Sequence, residues 1–217
     1  MDFQYFLKFI PDLIQIQLPA IIAHEKMMPL ERKQLLAKIN LKEKNPRKAA
    51  VMMLFYPKNS QTHLVLIVRN SYPGVHSDQI AFPGGKFEQE DVDFQATALR
   101  ETEEEIGISP DKIEIVKAFS SLYIPPSNFM VYPFLGICKE EIQFVPDPKE
   151  VAAIIELPLK VFRDDSIVTI ENLSTSYASL IEVPAFRIEG HIVWGATAMI
   201  LSELKDVLNL VLFDENE

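Results

Sequence analysis

The segment Phe82-Pro83-Gly84-Gly85-Lys86 leads, after a short stretch, into Arg100-Glu101-Thr102-Glu103-Glu104-Glu105-Ile106-Gly107-Ile108. No other feature constrains this chain as strongly, because a block of carboxylates on one helix repels itself unless something positive sits among them. Each helical residue advances by about 100°, so with Glu101 as origin Glu105 falls at about +40° and Glu104 at about −60°. Three carboxylates therefore share one sector, with Glu103 projecting away from it into solvent. Leu99, Ala96 and Ile106 fall on the opposite side, where a core is expected. The repulsion costs a few tenths of a kcal/mol per pair, roughly, and bound Mg²⁺ or Mn²⁺ reverses its sign, since hard cations prefer carboxylate oxygens.

The bland reading is a solvated acidic face, which is the usual outcome for a bare run of glutamates. Two features favour a metal site. Gly107, with Pro110 soon after, forms a sharp helix stop. Gly84 and Gly85 lack the side chains that would keep a backbone away from a ligand or metal.

These residues resemble the Nudix box, G-x5-E-x7-R-E-U-x-E-E-x-G-U, with U a bulky aliphatic residue. Gly85, Arg100, Glu101, Glu104, Glu105, Gly107 and Ile108 match it. Asp91 replaces the first glutamate, with eight residues rather than seven before Arg100, and Thr102 replaces an aliphatic. A capping or bracing role at the start of the helix suits Asp91. The resemblance implies that Glu101, Glu104 and Glu105 are metal ligands and that Arg100 braces them, with a carbonyl of the Gly84–Gly85 turn also reaching a metal. Further segments resemble the coenzyme A diphosphatase branch: Leu64 to Gly85, Ser127 to Gly136, Glu150 to Leu159 and Val193 to Leu201. Gly74 and Asp78 stand where that branch carries an arginine and a glycine. The branch implies coenzyme A as substrate, with 3′,5′-ADP and 4′-phosphopantetheine as products, and the family often forms homodimers.

Bulk properties set outer bounds. With 217 residues, 48% of them hydrophobic, and a mean hydropathy of +0.08, the chain suits one folded domain with an extension. A net charge of −10 without a basic tract disfavours nucleic acid as a partner. A small phosphorylated substrate stays compatible, because metals supply positive charge locally. Cys138 is the single cysteine, so no intrachain disulfide forms and a reducing, cytoplasmic setting is expected. Nothing reads as a membrane span: the apolar stretch Phe6 to Ala23 is interrupted by Lys8, Pro11, Asp12 and Pro19.

Residues 1–45 read as a helical extension packed on a core, with Pro29 to Arg32 as a helix start, and residues 46–217 as the main domain. Strands are expected at Ala49–Tyr56, His63–Arg69 and Ile80–Phe82, with a turn at Pro57–Ser60. The acidic helix is expected over Val92–Ile106. Further strands are expected at Ile113–Phe119, Val131–Cys138, Val151–Leu157, Val168–Glu171 and Leu180–Ile188. An amphipathic helix, Ala196–Val211, closes the chain on a stripe of Leu201, Leu204, Val207, Leu208 and Val211. The expected class is α+β, a Nudix-type α/β/α sandwich of helices on a mixed sheet.

The chemistry these residues suit is metal-assisted hydrolysis of a diphosphate bond in a nucleoside-diphosphate compound. Glu101 or Glu150 takes the proton from water, although Glu150 equally fits a plain surface residue. Arg69 and Lys86 are candidates to meet phosphate, against the simpler roles of surface ion pair and sheet-edge cover. Phe129 and Tyr132 are candidates to line a substrate pocket, but alternation along a strand explains one of them without a ligand. His76 is a substrate contact or a solvated loop residue, and Trp194 more readily docks the last helix than stacks a base. Two rivals stay open: a Nudix hydrolase of ADP-ribose or another nucleotide, and a nucleotide- or coenzyme-A-sensing module without turnover.

Overall fold

The computed structural model describes residues 1–70, 79–173 and 181–212. Gly74, His76, Asp78 and Leu180 lie outside them.

Alternation along the first strands builds two separate apolar cores. In β1 (Arg47–Lys58), Met53 and Phe55 enter one core while Met52, Leu54 and Tyr56 enter the other. In β2 (Gln61–Arg69), Leu64 and Leu66 oppose Val65 and Ile67 in the same way. The expected turn between these strands tightens to Asn59 and Ser60, both at positive φ (50° and 61°), so β1 and β2 run on beyond their predicted ends.

The remaining strands are β3 (Ile80–Ala81), β4 (Gly84–Lys86), β5 (Ile113–Ala118), β6 (Leu122–Ile124), β7 (Phe129–Cys138) and β8 (Val151–Pro158). Among the described residues they form one sheet in the order β3-β2-β1-β7-β5, with β4 beside β1, β6 beside β7 and β8 beside β2. Only the β1–β7 pairing is parallel, which makes the sheet mixed. A smaller antiparallel sheet holds β9 (Val168–Leu173), β10 (Ile181–Ile188) and β11 (His191–Trp194). β6 and β11 escape sequence reading because three or four residues carry too little periodicity.

Five short helices precede the sheet: α1 (Phe3–Leu7), α2 (Ile10–Gln15), α3 (Ile21–Lys26), α4 (Leu30–Leu36) and α5 (Leu41–Lys44). Then come α6 (Phe94–Ile106), α7 (Leu159–Arg163) and α8 (Gly195–Val211). Helix α6 covers the Met52/Leu54 face, whereas α8 and the N-terminal helices cover the Met53/Phe55 face. This is the α/β/α sandwich the sequence predicts.

Two helices depart from expectation. α6 starts at Phe94 rather than Val92, because the Asp93 carboxylate caps it by accepting the Ala96 N–H (2.8 Å) and leaves Val92 91% exposed. α8 is buried beyond its predicted stripe, since Ala198, Met199, Ile200 and Glu203 are also covered. The cause is the N-terminal extension. Glu203, fully buried, accepts the Ala20 N–H (2.9 Å), the Ser120 N–H (3.1 Å) and the Ser120 hydroxyl (2.6 Å). His24 Nε2 lies 3.4 Å from the oxygen that accepts the Ser120 N–H, within ion-pair range. Burial alone would raise the Glu203 pKa, but His24 and Ser120 overcome it and hold the carboxyl below its ordinary value.

Glu203 thus ties α3, α8 and the β5–β6 loop together. Glu203→Ala is expected to lower the unfolding free energy by about 3 kcal/mol, since it strands several buried donors. Urea denaturation checks this, and a change under about 0.5 kcal/mol would mean the network is incidental.

Candidate active site

The glycine turn is shaped by its contact with β1. Met52 N–H donates to Pro83 O (2.8 Å), and β4 pairs Gly84 with Val51 and Gly85 with Ala50. Gly84 sits at φ 151°, and a Cβ there would lie 2.3 Å from Ala50 O. At Gly85 a Cβ would lie 2.3 Å from a carboxylate oxygen of Glu101. A side chain at Gly84 would collide with the β1 backbone, and one at Gly85 would displace the Glu101 carboxylate. The diglycine is therefore what lets α6 bring its acidic groups onto the backbone.

The acidic sector does not stand clear of the core, as helical geometry alone predicts. The buried face of α6 comprises Thr97, Ala98, Thr102, Glu105 and Ile106, while Leu99 and Ala96 are only half-buried. Glu105, 1% exposed, is tolerated there because it has strong donors: Gly84 N–H at 2.8 Å and Arg69 Nη1 at 3.1 Å. Thr102 occupies its apolar position by donating to Ala98 O (2.6 Å). Gly107, at φ 75°, ends the helix in the left-handed conformation.

Arg100 organises the rest. Its Nε and Nη2 grip Asp91 at 2.9 and 3.0 Å, Nη2 also donates to Lys86 O (2.9 Å), and Nη1 bridges Glu101 (3.0 Å) and Glu104 (3.1 Å). Asp91, despite its shifted position, is the brace for Arg100. The guanidinium beside it holds its carboxyl well below the usual range. Asp91 also accepts from Thr97 Oγ1 and Glu88 N–H.

Burial raises the Glu101 pKa, with Arg100 opposing and Glu104 and Glu150 reinforcing. Burial likewise pushes Glu105 up to about 7 against the pull of Gly84 and Arg69, with Glu101 and Glu150 adding to the rise. These groups feel one another's charge. Five carboxylates (Asp91, Glu101, Glu104, Glu105 and Glu150) face the guanidiniums of Arg69 and Arg100. Among the described residues, however, no three acidic or histidine side chains converge tightly enough to enclose an ion unaided. Arg100 instead stands between Glu101 and Glu104, screening the repulsion a cation would otherwise relieve. An all-oxygen donor set with surplus negative charge, packed on a turn without side chains, fits a hard divalent ion.

The other candidates are placed around this centre. Glu150, about half exposed, has an oxygen 3.9 Å from Arg69 Nη2. Its loop is docked on the end of α6, where Val145 and Asp147 donate to the carbonyls of Ile106 and Glu105, and Asn70 N–H holds Glu150 O at 2.8 Å. Arg69, Gly84, Gly85 and Lys86 also form one wall of a pocket of about 310 Å³. Phe129 lines it, with Arg47 stacked 4.1 Å from its ring centroid. Trp194 lines it too, so it faces the pocket as well as starting α8. Tyr132 does not, because it points to the opposite sheet face and stacks on Phe94 at 4.0 Å. Arg32 and Ser127 also line the pocket; Arg32 has no local sequence signal, whereas Ser127 opens the Ser127–Gly136 segment, and only tertiary packing brings the two together.

The family model for the NUDIX domain matches residues 46–172, more than half of the chain. The chain belongs to the Nudix family. It is 33% identical over 162 residues to Nudix hydrolase 15, mitochondrial, of Arabidopsis thaliana, covering 72% of this chain and 56% of that protein. Nudix hydrolase 22, chloroplastic, from the same plant gives 33% over 162 residues, 72% and 53%. This Nudix chain thus spans little more than half the length of those two relatives. An uncharacterized Nudix hydrolase NudL of Photorhabdus laumondii is 31% identical over 169 residues, covering 74% of this chain and 84% of that one. Among solved structures, the Nudix hydrolase RenU of M. smegmatis aligns with a TM-score of 0.53 at 13% identity, over 79% of this chain and 91% of that one, a likeness of fold alone.

The environment of Glu105 gives the metal-free Nudix domain a pH signature. With its pKa raised from 4.5 to about 7 on folding, the neutral acid contributes stability that is present below pH 4.5 and lost as pH rises through 7. Glu105→Gln cannot lose it, so between pH 5 and 8 the variant gains on wild type by up to roughly 3 kcal/mol. Urea unfolding of both proteins in chelator tests this, and a pH-independent difference would contradict the assigned shift.

Proposed function

We propose that this Nudix chain hydrolyses the diphosphate bond of coenzyme A or an acyl derivative, yielding 3′,5′-ADP and 4′-phosphopantetheine or its acyl form. One observation carries the reading: the carboxylates of α6 rest on a diglycine turn that is also the wall of a pocket. Such a turn offers a diphosphate its backbone on one side and acidic metal ligands on the other. Coenzyme A, among diphosphate compounds, is supported by the resemblance of four separated segments to that branch and by the apolar character of the pocket.

Glu101, Glu104 and Glu105, with the Gly85 carbonyl, would hold Mg²⁺ or Mn²⁺, which neutralises nonbridging oxygens and makes water acidic enough to attack near neutral pH. Arg100, fixed by Asp91, bridges the largely covered Glu101 and the exposed Glu104 beside the turn. Arg69, which holds Glu105, and Lys86 both line the pocket, which supports them as contacts for phosphate oxygens. Glu150 takes the proton from the attacking water as the new P–O bond forms and the bridging P–O bond breaks. It suits this role better than Glu101, which Arg100 already engages, because its carboxylate is half exposed on a loop.

Mass spectrometry of products formed from coenzyme A in ¹⁸O-water identifies substrate, bond and attacked phosphorus together. The expected result is 3′,5′-ADP and 4′-phosphopantetheine, with label in one of them. In a panel at equal concentration, a clear preference for ADP-ribose would remove coenzyme A from the reading. Tight binding without turnover in Mg²⁺ or Mn²⁺ would replace it with a sensor. Glu104→Gln should lower turnover by orders of magnitude and weaken Mn²⁺ binding. Glu150→Gln should lower kcat by roughly 10²- to 10⁴-fold while Mn²⁺ affinity holds, as loss of a general base predicts.

A further inference from the structure

The pocket runs from the glycine turn to a wall that the Nudix-box residues do not build. Pro29 and Arg32 of the N-terminal extension close that wall, together with Ile124, Pro126 and Ser127 of the β6–β7 region. Arg32 is 3% exposed, and its Nη2 donates to Tyr123 O (2.8 Å), which pins α4 against β6. Between wall and turn the surface is mainly apolar, with Ile80, Val131 and Ile200 among its residues. Ser127 differs from these. The residue is 8% exposed and belongs to the pocket lining, and its buried hydroxyl has no hydrogen-bond partner among the described residues. A buried hydroxyl left unpaired costs free energy, so an orphan of this kind in a pocket wall points to a partner that arrives with the ligand.

We infer that the N-terminal extension and Ser127 form a subsite for a neutral, mainly aliphatic arm that carries amide or hydroxyl groups and is joined to the diphosphate. Ser127 Oγ hydrogen-bonds one polar group of the arm while the apolar walls take its carbon skeleton. A volume of about 310 Å³ falls at the lower end of the range of small-molecule sites and suits part of a substrate rather than the whole. This rests on and deepens the coenzyme A reading, in which the arm is pantetheine, and it assigns residues outside the Nudix box to specificity.

Trp194, the only tryptophan, lines the pocket and reports its occupancy by fluorescence without any need for metal or turnover. Titration with pantetheine in chelator is expected to shift Trp194 emission, whereas ADP leaves it unchanged. Ser127→Ala should weaken pantetheine binding roughly tenfold, the loss of about one hydrogen bond, and raise KM for coenzyme A in parallel. Its melting temperature should hold or rise, because an unpaired hydroxyl has gone. Ala196→Leu, at a half-buried pocket position on α8, fills the space and should abolish the pantetheine shift while ADP affinity, read by calorimetry, is retained.

If pantetheine shifts the emission but coenzyme A is not cleaved, the substrate reading fails and the subsite stands. If coenzyme A is cleaved but pantetheine leaves Trp194 unmoved and both variants keep the wild-type KM, the subsite is wrong and the reading stands. Equal losses of pantetheine and ADP binding would also overturn the subsite, since they indicate general damage.

Discussion

Contact between the acidic face of α6 and the backbone of the glycine turn is the constraint from which the rest of the site follows. Glu105 is buried because Gly84 offers it an amide, and Glu101 reaches the turn because Gly85 has no Cβ. Burial then raises the proton affinity of both acids, and repulsion from neighbouring carboxylates, Glu104 and Glu150 on Glu101 and Glu101 and Glu150 on Glu105, raises it further. Arg69 and Arg100 hold the cluster together without neutralising it. The fold accepts this local cost because two apolar cores, one on each sheet face, anchor the elements that bear it.

The division of labour across the sheet follows from strand parity. Even-numbered positions of β1 meet α6 and odd-numbered ones meet α8 and the N-terminal helices. The glycine turn lies against β1 from the edge, so it reaches both the helix with the carboxylates and the pocket under α8. The carboxylate cluster and the pocket thus share one turn while drawing on different helices. Glu203 fastens the N-terminal extension to α8, which makes a segment outside the matched family region part of the pocket wall.

Local pattern sufficed wherever one element determined the outcome. The long strands and the helix stop at Gly107 are set by periodicity or by a single residue type. What the pattern hid was tertiary. Helical geometry placed Glu105 with the exposed acids, yet the amide of Gly84 and the guanidinium of Arg69 draw it into the core. The stripe on α8 predicted one buried face, but Ala20 and His24 bury a second through Glu203. Phe129 and Tyr132 looked alike in sequence, and only the sheet decides that Phe129 meets the pocket. Ser127 opens a segment the sequence singles out, but its place in a cavity wall emerges only when Arg32, far earlier in the chain, joins the same cavity.

Gly85→Ala tests the central contact most directly, because alanine suits the backbone there and only the approach of Glu101 is blocked. Manganese binding should be read by electron paramagnetic resonance, with the fold monitored by circular dichroism. The account predicts that Mn²⁺ affinity falls by roughly two orders of magnitude or more while the spectrum of the folded protein is kept. Wild-type Mn²⁺ affinity in a folded Gly85→Ala protein would contradict it.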